Sequence, residues 1–128
     1  MKMKHSDKQY RCVIIDDDFS SINILKEYIS MTPKLTLVKS YLSPIMAVNE
    51  IKMLEKIDFL FLDINMSISG LDVAKMLRET TEFIILITGH PEHALDAFDA
   101  HVDKFLVKPI PFEKFLVAVN HLLKREIR

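Results

Sequence analysis

The sequence is short of several things, and each shortage removes a class of function. It holds a single cysteine, Cys12, so no internal disulfide can brace the chain. Set within an apolar run, that residue reads as a small buried hydrophobe in a reduced cytoplasm. Charge of one sign is also lacking, with 17 Lys and Arg against 18 Asp and Glu and no long basic run at either end. Nonspecific nucleic-acid binding by this chain is therefore not expected. No apolar stretch approaches the roughly 20 residues of a membrane span, and the opening "MKMKHSDKQY" has no apolar centre of the kind a signal peptide needs. Repeats, linkers and low-complexity segments are missing too. The 128 residues, 49% of them hydrophobic, are thus expected to form one cytoplasmic domain around one core.

Apolar runs and helical stripes alternate along the chain. Runs at 10–15 (YRCVII), 35–39 (LTLVK), 58–62 (DFLFL), 83–87 (FIILI) and 103–107 (DKFLV) have the length and continuity of buried strands. Between them, Ile22, Leu25 and Ile29 form a helical stripe, as do Ala47, Ile51 and Leu54. Val73, Ala74, Met76 and Leu77 follow Gly70, and Ala94, Leu95, Ala97 and Phe98 follow Pro91. The last helix carries Phe112, Phe115, Leu116, Val119, Leu122 and Leu123 on one face, with Pro111 at its first turn. Such alternation predicts an α/β, flavodoxin-like (βα)5 fold: a doubly wound parallel sheet of order 2-1-3-4-5 with right-handed crossovers.

Folds of this kind place their site outside the carboxyl ends of the strands. Asp16 and Asp17 follow the first run, Asp63 the third, Thr88 the fourth and Lys108 the fifth, so three carboxylates, a hydroxyl and an ammonium are predicted to meet on one rim. Clustered carboxylates raise one another's pKa unless a cation neutralises them, and oxygen ligands beside open water suit Mg²⁺. Asp63, on the central strand, is the candidate nucleophile toward phosphorus, with Lys108 and Thr88 positioned to balance the transferring group.

In this order and spacing "IIDDD", "FLFLDINM", "LITGH" and "FLVKPI" resemble the CheY-like receiver domain of two-component response regulators, over about Tyr10 to Lys124. The stretch "EHALDAFDAHVDKFLVKPIPFEKFLVAVN" is similar to receivers that precede LytTR-type DNA-binding domains. The resemblance implies Asp63 as phosphoacceptor, Asp17 as direct and Asp16 as water-mediated metal ligand, and the backbone carbonyl of Asn65 as a further ligand. It also implies Thr88 as phosphate sensor with Lys108, Phe105 at the aromatic switch position, and a cis bond between Lys108 and Pro109 that turns the ammonium inward. A sensor histidine kinase is the expected donor, and a surface of helix 4, strand 5 and helix 5, about residues 90–124, is the expected dimer or partner face. The chain would catalyse only its own phosphorylation and dephosphorylation. Transcription would be the output if an effector domain follows, and none follows within these residues.

Ser67 stands where the family usually has Pro, and Gly70 arrives one residue early, so the loop from Asn65 to Gly70 is shortened. That departure favours a rival reading, a pseudo-receiver that binds partners without phosphorylation. A second rival, a haloacid-dehalogenase-type phosphatase, would need Asp16 and Asp18 as nucleophile and acid in a chain with no room for a cap domain. Asp18 reads equally as the N-cap of the first helix. His90 and His93 have no third ligand of the right type and read as solvated, and the seven methionines read as core filler.

Overall fold

The structure, a computed structural model, describes residues 8–127, so the expected domain limits of 1 and 128 lie outside the described residues. Strands β1 (Tyr10–Ile15), β2 (Leu35–Tyr41), β3 (Ile57–Asp63), β4 (Thr81–Thr88) and β5 (Lys104–Val107) form one sheet of order β2-β1-β3-β4-β5, every pairing parallel. Helices α1 (Phe19–Ser30), α2 (Pro44–Ile51), α3 (Gly70–Leu77), α4 (Ala94–Asp99) and α5 (Phe112–Ile127) make the crossovers. This is the flavodoxin-like doubly wound arrangement predicted from the alternation. None of the described helices is long and apolar enough to cross a membrane.

Local chemistry explains where the helices start. Asp18 accepts from the Ser20 amide and caps α1, Ser43 caps α2 ahead of Pro44, and Ser69 caps α3.

Alternation along each strand then divides the core in two. Cys12, Ile14, Phe59, Phe61, Phe83, Ile85 and Ile87 face α1 and α5, where they meet Ile22, Leu25, Ile29, Phe115, Val119 and Leu122. Val13, Ile15, Leu60, Leu62, Ile84 and Leu86 face the other way, against Ala47 and Ile51 of α2, Val73, Ala74 and Leu77 of α3, and Ala97 of α4. Cys12 lies fully within the first layer, and burial, with Asp58 adding to it, pushes its thiol up to about 12.

The first layer is an aromatic ladder. Phe59 stacks on Phe61 at 6.1 Å, Phe61 on Phe115 at 5.3 Å, and Tyr28 packs against both Phe112 and Phe115. At the top, the Tyr28 hydroxyl donates to the Ile110 carbonyl at 2.6 Å, tying α1 to the loop between β5 and α5.

Several expectations need correction. The edge strands β2 and β5 are only partly buried, because each has a neighbour on one side alone. Leu54 lies beyond the end of α2, and Met76 points out of α3. On α4, Leu95 and Phe98 are each 80% exposed and only Ala97 is buried, so the apolar stripe faces away from the sheet. Met31, Met46, Met53 and Met76 are exposed as well, so these methionines do not fill the core.

Burial separates two leucines of equal size. Leu122→Ala should cost about 2–5 kcal/mol, while Leu95→Ala should stay within about 0.5 kcal/mol; urea unfolding of the two variants measures the contrast.

Candidate functional site

All five strands run the same way, so their carboxyl ends form a single rim. Asp16 and Asp17 follow β1, Asp63 closes β3, Thr88 closes β4 and Lys108 follows β5. The carboxylates of Asp16, Asp17 and Asp63 each offer an oxygen within 4.8 Å of the others, the first and last buried and Asp17 exposed. Lys108 Nζ donates to Asp16 Oδ2 at 2.9 Å and lies 3.7 Å from Asp63 Oδ1. The other oxygen of Asp16 accepts the Asp18 amide at 2.9 Å.

The backbone around the lysine is well defined by its neighbours on β4. Its own amide donates to the Thr88 carbonyl at 2.8 Å, and its peptide bond to Pro109 is cis. Beyond it lies Ile110, whose carbonyl is the one bound by Tyr28. A groove of about 400 Å³ is lined by Lys108 together with Ile24, Leu25, Tyr28, Pro109 and Ile110 among others.

Burial, and after it the Asp16 charge, pushes the Asp63 carboxyl up to about 6, against the pull of Lys108. Asp18 behaves oppositely. Its carboxylate accepts from the Ser20 amide and hydroxyl and the Ser21 hydroxyl, which holds its pKa below the usual carboxylate range. The carboxylate of Asp18 is thus engaged in capping α1.

Thr88 is fully buried, and its Oγ1 accepts the His90 amide at 3.2 Å. Alternation puts it on the face of Ile84 and Leu86, opposite the face that Ile14, Phe61 and Leu106 assign to Asp16, Asp63 and Lys108. Phe105 is half-buried on the Thr88 face and pairs with Leu86. Asn65 is exposed at the head of the β3–α3 loop. His90 and His93 stand 6.0 Å apart, each beside an acid, Glu92 and Asp96 respectively.

The short loop has a consequence that its sequence hinted at only through spacing. A Cβ on Gly70 would lie 1.9 Å from the Asp63 carbonyl oxygen and 2.8 Å from the Ile64 Cα, and the Gly70 amide donates to the Ile64 carbonyl at 2.8 Å. Helix α3 thus begins directly on the backbone that presents Asp63, and only glycine fits there. The chain has two glycines, and one opening a helix beside a candidate nucleophile was the available signal. Tyr28 could not be found that way, since its partner is 82 residues distant.

The three carboxylates are hard oxygen donors at a rim open to solvent, a set suited to a divalent cation such as Mg²⁺.

Comparison with known proteins follows the same lines. The family model for the response regulator receiver domain matches residues 12–120. The transcriptional regulatory protein BtsR of Salmonella typhi is 32% identical over 118 residues, covering 91% of this chain and 48% of that protein. The sensory transduction protein LytT of Oceanobacillus iheyensis is 36% identical over 70 residues, 51% of this chain and 28% of that protein. Among solved structures, the response regulatory domain of protein mrkE from Klebsiella pneumoniae superposes with a TM-score of 0.81 at 24% identity, covering 90% of this chain and 96% of that one, a likeness of fold. This chain spans about half the length of the curated relatives it matches from end to end.

Burial pushes the folded Asp63 carboxyl up to about 6 from an unfolded value near 3.9, so between those values the folded state holds the extra proton. The contribution of Asp63 to stability, measured with a chelator present as the difference between the parent and Asp63→Asn, should therefore be full below about pH 4 and be lost as pH rises through about 6. Asp63→Asn should gain on the order of 1 kcal/mol over the parent at pH 7 in urea titrations. Gly70→Ala must push α3 off β3, and should cost about 1–3 kcal/mol in the same assay.

Proposed function

The chain belongs to the response regulator receiver domain family, and from that premise we propose that Asp63 accepts a phosphoryl group from the phosphohistidine of a sensor histidine kinase. The observation that carries this reading is a buried carboxylate, Asp63, with an ammonium 3.7 Å away and two more carboxylates within 4.8 Å. Near neutral pH a group titrating at about 6 is mostly ionised, which is the nucleophilic form.

An Asp63 oxygen attacks phosphorus in line with the departing imidazole nitrogen. The P–O bond forms as the P–N bond breaks, and the nitrogen keeps the electron pair. Lys108 offsets charge on the equatorial oxygens, and Thr88 turns its hydroxyl toward one of them. Hydrolysis reverses the modification: a water oxygen attacks phosphorus, the bond to Asp63 breaks, and phosphate and a proton leave.

Asp16, Asp17 and Asp63, with the backbone carbonyl of Asn65, are the residues that would hold Mg²⁺. Bound there, the ion supplies positive charge against the carboxylates and the phosphoryl oxygens. The groove lined in part by Lys108, the residue whose ammonium reaches Asp63, would give a phosphodonor an apolar foothold.

Modification at Asp63 would draw Thr88 inward and leave room for Phe105, altering the face built from α4, β5 and α5. Leu95, Phe98, Val107 and Val117 are exposed there, enough apolar surface for a second copy or a partner. Residues 10–124 form the core of the receiver, and where a DNA-binding segment of LytTR type is joined to it, the switch would set transcription. The matches to BtsR and LytT support that output.

Incubation with acetyl phosphate and Mg²⁺ followed by peptide mass spectrometry is expected to place the label on Asp63. Asp17→Asn should lower labelling at least tenfold, whereas Asp18→Asn, which disturbs only a helix cap, should change it less than about twofold. An unlabelled parent would leave the pseudo-receiver, a phosphorylation-independent interaction module, as the function.

A further inference from the structure

Helix α4 is held very differently at its two ends. At its start, neither the 3₁₀ turn Pro91–His93 nor α4 has a side-chain cap, and Gly89 has open space where a side chain would be. The amide of His90, donating to Thr88 Oγ1, connects this end to the site. Along its length α4 buries Ala97, with Ala100 buried at its cap, so little apolar surface anchors it.

Its far end is clamped. The Arg78 guanidinium, at the end of α3, donates to the His101 carbonyl at 2.9 Å, to Asp103 Oδ2 at 2.9 Å and to the carbonyls of Thr81 and Glu82. Asp103 Oδ2 also accepts the Ile84 amide at 2.7 Å, and the Asp103 amide donates to the Ile84 carbonyl at 2.9 Å. His101 sits at φ 58, a left-handed conformation that histidine seldom adopts, and its carbonyl is the one Arg78 grips. One planar fork thus joins α3, β4 and the α4–β5 turn, with side chains partly shielded from water.

We infer that Arg78 and Asp103 are positioning residues of the switch. They fix the far end of α4, so that a change at Thr88 moves the start of the helix about that fixed point and does not dissipate into the α4–β5 turn. The inference rests on the phosphorylation switch proposed above. A turn of Thr88 Oγ1 toward the site releases the His90 amide, and the start of α4 is then the end free to answer.

Amide hydrogen exchange of the full chain, with and without beryllofluoride and Mg²⁺, tests this. In the parent the mimic should change exchange at residues 90–97 several-fold while leaving the Ile84 and Asp103 amides as they were. In Arg78→Gln the mimic should still bind, but the change should extend through residues 100–103. Asp103→Asn keeps an acceptor for the Ile84 amide while losing the ion pair, and should give the same spread if Arg78→Gln folds poorly. A merely structural loss would instead speed exchange across the sheet whether or not the mimic is bound. A response confined to residues 90–97 in both variants would overturn the clamp and leave the switch standing. No response in the parent with the mimic bound would overturn the switch and the clamp together.

Discussion

Two carboxylates brought side by side on adjacent parallel strands repel, and the rim of this sheet depends on how that repulsion is held. Asp16 and Asp63 arrive from β1 and β3, and Lys108 comes in from beyond β5, giving its closest contact to Asp16 and a longer one to Asp63. The unequal sharing matters. Asp16 has an ammonium and a backbone amide as partners, while the carboxyl of Asp63, more weakly compensated, is pushed up to about 6. Much of the fold around the rim serves this one arrangement. The aromatic ladder ends in Tyr28, which holds the loop carrying Lys108, and Gly70 lets α3 start against the backbone that presents Asp63.

The sheet also separates two tasks by parity alone. Successive side chains on a strand point to opposite faces, so Asp16, Asp63 and Lys108 share the α1 and α5 side while Thr88 and Phe105 lie on the α2 to α4 side. Any influence of the first group on α4 has to pass through the strand ends. Thr88 is where the two sides touch, because its carbonyl binds the Lys108 amide and its hydroxyl binds the His90 amide.

What could be read from the sequence was whatever local pattern controls. Continuous apolar runs gave the five strands, and the stripes Ile22, Leu25, Ile29 and Phe115, Val119, Leu122 gave α1 and α5, because those helices lie along the broad face of the sheet and bury a full stripe. Strand ends gave the cluster of acids and the lysine, since in a parallel sheet the topology alone brings them together. Reading failed where direction, not identity, decides. The stripe Leu95 and Phe98 was correctly seen as apolar, but α4 is short and covers the sheet with alanines, so the large side chains turn outward. Exposed methionines misled for the same reason: a pattern of residue types does not say which face finds a partner. The Arg78 and Asp103 contact left no local trace, since its partners lie 25 residues apart and meet only through tertiary structure.

A receiver that must change shape needs one element that is cheap to move and a surround that is not. The middle of the sheet cannot be that element, because Phe59, Phe61, Leu60 and Leu62 are fully interlocked with both helical layers and any shift would open cavities in them. Helix α4 can be. It buries little beyond two alanines, lacks a capping side chain at its start, and already presents its apolar side chains to solvent, so repositioning it exposes almost nothing new. The same thin anchoring that made its orientation unreadable in the sequence is what suits it to answer a change at the rim.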